Sequence, residues 1–181
     1  MAQRQAEFNA KGAKVYGLSA DSPGQNSAVM EKLALPYAIL SDEGKDEAIR
    51  PLGFDDENDV RQISRPGVVL VSPDGEVVYR YVGHRDYADR PNEDDILTEV
   101  GKLGLAAVDQ SVDQAGVAEP SDKAMPGEGL KYYFSGAKFA NLALRGRHRD
   151  LGDAFRDDTK AYVQMIERYL EALSAAEDRK G

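Results

Sequence analysis

Cysteine is absent from this 181-residue sequence, and histidine occurs only twice. The absence of cysteine excludes disulfides, thiolate metal ligands and any thiol chemistry carried by this chain. The two histidines, His84 and His148, are too few for a typical zinc or iron site, and we expect neither a metal nor another cofactor. Any chemistry would have to come from other side chains.

Long hydrophobic runs and an excess of basic charge are also missing. No stretch of 18 apolar residues occurs, and residues 1–8 lack the apolar core of a secretory signal, so we expect a cytoplasmic protein without a membrane-spanning helix. There are 32 acidic residues against 23 lysines and arginines, which gives a formal net charge of −9. A nucleic-acid-binding protein needs a basic face. We therefore expect neither a nucleic-acid nor a membrane partner.

The first part of the sequence alternates between strand and helix patterns. Residues 13–20 read as a buried strand, and the Asp21-Ser22-Pro23 sequence after it supplies a helix cap and a first helical proline. Residues 36–40 read as a second short strand, followed by a short helix that ends near Gly53. This alternation is typical of α/β proteins.

The next segment, "SRPGVVLVSPDGEVVYRY", reads as a strand, a tight turn and an antiparallel strand. Residues 68–71 are continuously apolar, as in a strand that is buried on both faces. Pro73-Asp74-Gly75 has the residues that a tight turn requires. A helix follows in residues 89–104, with Asn92 as its cap. The pattern predicts one mixed sheet with flanking helices.

The C-terminal part of the chain has a different pattern. Residues 105–129 are rich in Ala, Gly, Pro, Asp and Gln and read as a linker. Residues 130–176 contain two amphipathic stretches at helical spacing and predict an αα-hairpin, with Asp150 as the cap of its second helix. We thus expect a domain in residues 1–104, a linker in 105–129 and a helical hairpin in 130–176.

Four ordered segments resemble the peroxiredoxin family, the alkyl hydroperoxide reductase and thiol-specific antioxidant group with a thioredoxin-like fold. They are "FNAKGAKVYGLSADSPGQ", "LALPYAILSDEGKDEAIRPLGF", "RPGVVLVSPDGEVVYRYVG" and "DRPNEDDILTEVGKL". Together they cover most of residues 1–104 in the order that the family shows. The resemblance implies an incomplete thioredoxin-like mixed sheet and a thiol-dependent reduction of hydroperoxides.

One site residue carries over from this resemblance. Arg65 matches the arginine that family members place beside their thiolate, where a guanidinium lowers the thiol pKa and binds the peroxide oxygens. The family's Pro-x-x-x-Thr/Ser-x-x-Cys motif would lie before Met1, which stands inside the helix that this motif opens. We therefore expect an N-terminally truncated chain that is inactive alone and that uses hydroperoxide and a thiol reductant only with the missing segment.

The sequence leaves two alternatives open. From residue chemistry alone, Arg65 reads as a surface arginine paired with one of the 32 acidic residues. In the alternative function, the chain is a cysteine-free thioredoxin-fold module for binding or oligomerisation. It would use the C-terminal helical hairpin, and a homodimer is a possible form.

Overall fold

A computed structural model describes residues 1–60, 63–83, 89–112 and 116–180. His84 lies outside these residues. The chain forms two compact units, one made of Met1–Glu31 and Leu35–Pro120 and the other of Lys32–Ala34 and Ser121–Gly181. Within these described ranges the first unit contains both helices and strands, whereas the second contains two long helices. The protein is thus a mixed α/β protein with small sheets.

Among its described residues, the first unit contains four short strands, three α-helices and an N-terminal 3₁₀ turn at Ala2–Arg4. In chain order they are α1 (Gln5–Ala10), β1 (Gly17–Ser19), α2 (Pro23–Leu33), β2 (Ile39–Ser41), β3 (Gly67–Val71), β4 (Val77–Val82) and α3 (Glu93–Lys102).

The strands form two separate pairs, which corrects the prediction of one continuous mixed sheet. β1 and β2 are parallel, with Gly17 opposite Ile39, and β3 and β4 are antiparallel, with Gly67 opposite Val82. Among the described residues, no strand lies between the two pairs, so β1 and β3 each have one strand neighbour. Unpaired strand edges of this kind leave backbone donors and acceptors available.

β1 is shorter than the strand predicted in residues 13–20 because a side chain takes over part of its hydrogen bonding. The amide of Gln110 accepts from the backbone N–H of Val15 at 2.9 Å and donates to the Val15 carbonyl at 2.6 Å. These are the two bonds that a neighbouring strand would provide. The ladder with β2 therefore begins only at Gly17.

The prediction of a short helix that ends near Gly53 is wrong, because residues 43–53 form a series of turns. The carboxylate of Asp42 accepts from the backbone N–H groups of Ala48 and Ile49, each at 2.8 Å. Side-chain bonds of this type compete with the helical hydrogen bonds of the backbone. Lys45, with a φ of 62°, also lies in the left-handed region, which interrupts a right-handed helix.

Two helix caps in the first unit follow the local signals in the sequence. Ser22 caps α2: its Oγ accepts from the Gln25 N–H at 3.3 Å, and the Gln25 side chain accepts from the Ser22 N–H at 2.9 Å. This reciprocal pair is a capping box, with Pro23 as the first helical residue. Asn92 caps α3 by accepting from the Asp94 N–H at 3.1 Å, as predicted.

The core of the first unit lies where α1 and α3 meet the second strand pair. It consists of five buried residues, Phe8, Val15, Ile96, Leu97 and Val100. Val68, Leu70 and Tyr79 pack against this cluster from β3 and β4 and are only partly buried. The strand at Gly67–Val71 is therefore not buried on both faces as its apolar run suggested.

The second unit contains α4 (Gly127–Arg147), a 3₁₀ turn (Arg149–Leu151) and α5 (Gly152–Asp178). α4 and α5 are antiparallel, since Lys131 pairs with Glu177 at 2.7 Å and Lys138 pairs with Glu167 at 2.6 Å. Asp150 does not cap α5, as the helix follows Leu151 without a side-chain cap. None of the helices among the described residues is both long and apolar enough to cross a bilayer.

Candidate functional site

Arg65 lies two residues before β3, at the open end of the β3–β4 pair. Its backbone N–H donates to the Phe54 carbonyl at 2.7 Å. Its guanidinium donates to the Gly83 carbonyl through Nε at 3.1 Å and Nη2 at 2.8 Å. The Gly83 N–H donates in turn to the Pro66 carbonyl at 2.7 Å. The backbone of Arg65 is thus fixed to Phe54, and its side chain is fixed to Gly83, which directly follows β4.

The guanidinium of Arg65 retains donors for another group. An arginine side chain has five N–H donors, and the bonds to Gly83 occupy one edge of its planar group. The edge formed by the two terminal nitrogens matches a second pair of acceptor oxygens. Within the described part of the chain, Arg65 forms no ion pair, so the surface pairing considered from the sequence is not seen there.

The backbone beside Arg65 approaches an aromatic ring very closely. A Cβ atom on Gly67 would lie 2.3 Å from Cε1 of Phe54 and 2.4 Å from the Tyr81 carbonyl. Phe54 is buried, with 6% of its surface exposed. Glycine at position 67 therefore allows β3 to lie against Phe54, whose carbonyl also holds the backbone of Arg65.

The segment that carries Phe54 is held by two charged groups. Asp42 is 4% exposed, and the N–H of Ile49, with those of Ala48 and Glu47, lowers the pKa of its carboxyl below the ordinary value. Farther along, Lys45 donates to Asp55 at 2.7 Å, and this hydrogen bond lowers the pKa of Asp55. Both carboxylates are therefore ionised at neutral pH and fix the turns that precede Phe54.

Tyr81 is a further polar group near the end of β4, which the sequence suggested only as a sheet residue. Its hydroxyl donates to the carboxylate of Asp89. This hydrogen bond is the main reason why the pKa of Tyr81 is raised above its ordinary value. Asp89 lies eight residues farther along the chain, and no local pattern in the sequence connects the two.

The described residues contain no group of three or more His, Asp or Glu side chains that could hold a metal ion. Asp21, a possible cap in the sequence, accepts from the Ser19 hydroxyl at 2.7 Å, and Ser22 caps α2 instead. Of the sequence candidates, the structure thus leaves Arg65 as the group with a defined setting and available donors.

Both a family model and a known protein are similar to this chain. The model of the AhpC/TSA family matches residues 1–80, which include β1 to β3 and Arg65. Peroxiredoxin Q, chloroplastic, from Gentiana triflora is 47% identical over 38 residues, which cover 21% of this chain and 18% of that relative. The matched segment thus spans less than a fifth of the relative's length.

Proposed function

Residues 1–80 belong to the AhpC/TSA, or peroxiredoxin, family, and on that premise we propose that this chain keeps the arginine side of a peroxidase site without its sulfur. In the family's reaction a thiolate attacks the O–O bond of a hydroperoxide, which releases water or an alcohol and leaves a sulfenic acid that a thiol donor reduces. The 181 residues contain no cysteine. The chain alone therefore does not turn over hydroperoxides.

The observation that supports this proposal most directly is the setting of Arg65. Its backbone and one edge of its guanidinium are fixed by Phe54 and Gly83, while the other edge remains for a ligand. Because the guanidinium is fixed at one edge, its remaining donors point in a defined direction, as binding of a small ligand requires. We assign Arg65 the role of an anchor for the oxygens of a peroxide or another small oxygen ligand.

We expect no thiol-dependent peroxidase activity from the chain alone. Serine and threonine hydroxyls are far weaker nucleophiles than a thiolate and cannot replace it. Consumption of hydrogen peroxide with dithiothreitol as the thiol donor should equal the rate without protein, with a cysteine-containing peroxiredoxin as the positive control. Thiol-dependent turnover that rises with the concentration of the chain would contradict the proposal.

The proposed role of Arg65 is testable with formate, whose two oxygens match the free edge of the guanidinium. We expect the side-chain NMR signals of Arg65 to shift saturably as formate is added. Arg80 is the matched control, because its guanidinium also donates to a backbone carbonyl, that of Leu52 at 3.1 Å, but from an exposed position on β4. Equal, non-saturating shifts of both arginines would show that Arg65 offers no site.

The second candidate function is binding or oligomerisation through the second unit. It is supported by α4, on which Tyr132 and Phe139 are 80% and 68% exposed. Large exposed aromatic residues on one helix are typical of a surface that is covered by another molecule. In this function the second unit brings chains together, and the possible homodimer is its simplest form.

A further inference from the structure

α4 has two opposite faces with different surroundings. The inner face packs on α5, where the rings of Phe134 and Tyr169 lie 5.3 Å apart and Lys138 pairs with Glu167. The residues on the opposite side, here called the outer face, are Gly129, Tyr132, Gly136, Phe139, Ala143 and Gly146. They follow one another at intervals of three and four residues, which is the spacing of a coiled-coil seam.

The outer face is uncharged and is not covered by α5. Tyr132 and Phe139 are seven residues apart, so they project from the same side of α4, and most of each side chain is exposed. From Gly129 to Gly146 the face is about 26 Å long at the helical rise of 1.5 Å per residue. A face of this length can accommodate another helix along several turns.

Two of the three glycines of the outer face have no packing explanation within the unit, whereas a Cβ atom on Gly129 would meet the Met125 side chain at 3.1 Å. A Cβ atom on Gly136 or on Gly146 would meet nothing within 4 Å. Glycine is a poor helix former compared with alanine, so each of these positions weakens α4 without improving its packing on α5. Glycine at an exposed seam does allow a second helix to approach closely, and a partner on the outer face would therefore account for both positions.

We propose that the outer face of α4 binds the outer face of α4 in a second copy of the chain, with the two helices antiparallel. This proposal rests on the second proposed function, oligomerisation through the second unit. In this arrangement Tyr132 of one copy faces Ala143 of the other, and Phe139 faces Gly136. Each aromatic ring then lies over a small residue, in both directions across the two-fold axis. A parallel pair would place ring on ring and glycine on glycine, which packs poorly.

The charges at the two ends of the outer face favour the same orientation. Glu128 precedes the face, and Arg147 and Arg149 follow it. Within the described residues none of the three forms an ion pair. Antiparallel helices bring the acidic end of one copy to the basic end of the other and also align the helix dipoles favourably. Parallel helices would place like charges together at both ends.

The first test is the state of association of the full chain. A single pair of helix faces buries a small interface, so we expect a reversible dimer whose population rises with protein concentration in sedimentation velocity or light scattering. Phe139→Arg should raise the dissociation constant roughly tenfold or more. Leu144→Arg is the matched control, since Leu144 is 47% exposed on α4 but lies off the outer face, and it should leave the dimer intact. Circular dichroism verifies that both variants are folded.

The second test determines whether the two α4 helices are antiparallel or parallel, by disulfide cross-linking. Because the chain has no cysteine of its own, only the introduced cysteines can form a disulfide. Gly129→Cys and Gly146→Cys are prepared separately and oxidised, alone and as a mixture. In the antiparallel dimer position 129 faces position 146 of the other copy, so only the mixture should form a disulfide-linked dimer. Cross-linking of each variant with itself would indicate a parallel pair and overturn the proposed orientation.

The possible results distinguish failure of the proposed interface from failure of the proposed oligomerisation function. A dimer that persists in Phe139→Arg would overturn the outer face as the interface and leave oligomerisation through another surface. A chain that stays monomeric at all concentrations would overturn both. A monomer that binds phosphatidylserine vesicles, and loses this binding in Phe139→Arg, would assign the outer face to a membrane and likewise overturn the dimer.

Discussion

Replacing Gly67 by alanine should lower the free energy of unfolding by about 3 kcal/mol, at the upper end of the usual cost of overpacking. The new Cβ atom would overlap Cε1 of Phe54 and the backbone oxygen of Tyr81. The ring can turn only at the expense of its own buried packing, and the carbonyl belongs to the strand ladder. β3 and β4 would therefore have to separate at the pair of Gly67 and Val82. Arg65 lies beside this pair and would lose its position.

Urea unfolding followed by circular dichroism measures this change, and the NMR signal of Arg65 reports its local effect. Gly101→Ala is the matched control. Its Cβ atom would meet only the end of the flexible Lys11 side chain, at 3.3 Å, and the position lies within α3. That variant should be more stable by about 0.5 kcal/mol, because alanine favours helix over glycine. If both variants unfold at the same urea concentration as the wild type, the close approach at Gly67 does not contribute to the free energy of unfolding.

The elements that the sequence predicted well depend on neighbouring residues. The β3–β4 pair follows from an apolar run and the Pro73-Asp74-Gly75 turn, and its bounds agree closely with the prediction. Asn92 caps α3, as the sequence predicted. In each case the signal and the structure that it determines lie within a few residues of each other.

The features that the sequence did not predict depend on contacts between distant residues. β1 is shortened by Gln110, which lies 95 positions after Val15. The guanidinium of Arg65 is held by a carbonyl 18 residues farther along, so the pattern could suggest the residue but not which of its donors remain available. The division of the strands into two pairs is also a property of the whole unit, because local patterns identify strands but not their neighbours.

The turns of residues 43–53 are a case in which a single side chain overrides a helical pattern, and they lead to the second large prediction. Asp42 has a buried carboxylate that accepts from three consecutive backbone N–H groups, those of Glu47, Ala48 and Ile49. Charged acceptors form stronger hydrogen bonds than neutral ones. An asparagine in this position would have one acceptor oxygen and would direct its own NH₂ group at a backbone donor.

Asp42→Asn should therefore lower the melting temperature of the chain by about 10 °C at pH 7. It should also change the acid limb of the stability curve. Because the folded-state pKa of Asp42 is lowered, its carboxylate stabilises the folded state above the ordinary value of 3.8, and this contribution is lost as the pH falls through the lowered value. The variant lacks the group that titrates, so its melting temperature should fall less steeply in that range, with Asp55 as a remaining source of acid sensitivity.

Thermal unfolding from pH 7 to pH 2 distinguishes this role from a general effect of removing a negative charge. Asp74→Asn is the matched control, because Asp74 is exposed in the turn between β3 and β4, and it should change the melting temperature by no more than about 2 °C at any pH. Equal acid limbs in wild type and Asp42→Asn would mean that other carboxylates determine acid unfolding. The turns that Asp42 holds lead to Phe54, and the Phe54 carbonyl fixes the backbone of Arg65. Asp42→Asn should therefore also broaden the NMR signal of Arg65 and weaken its response to formate.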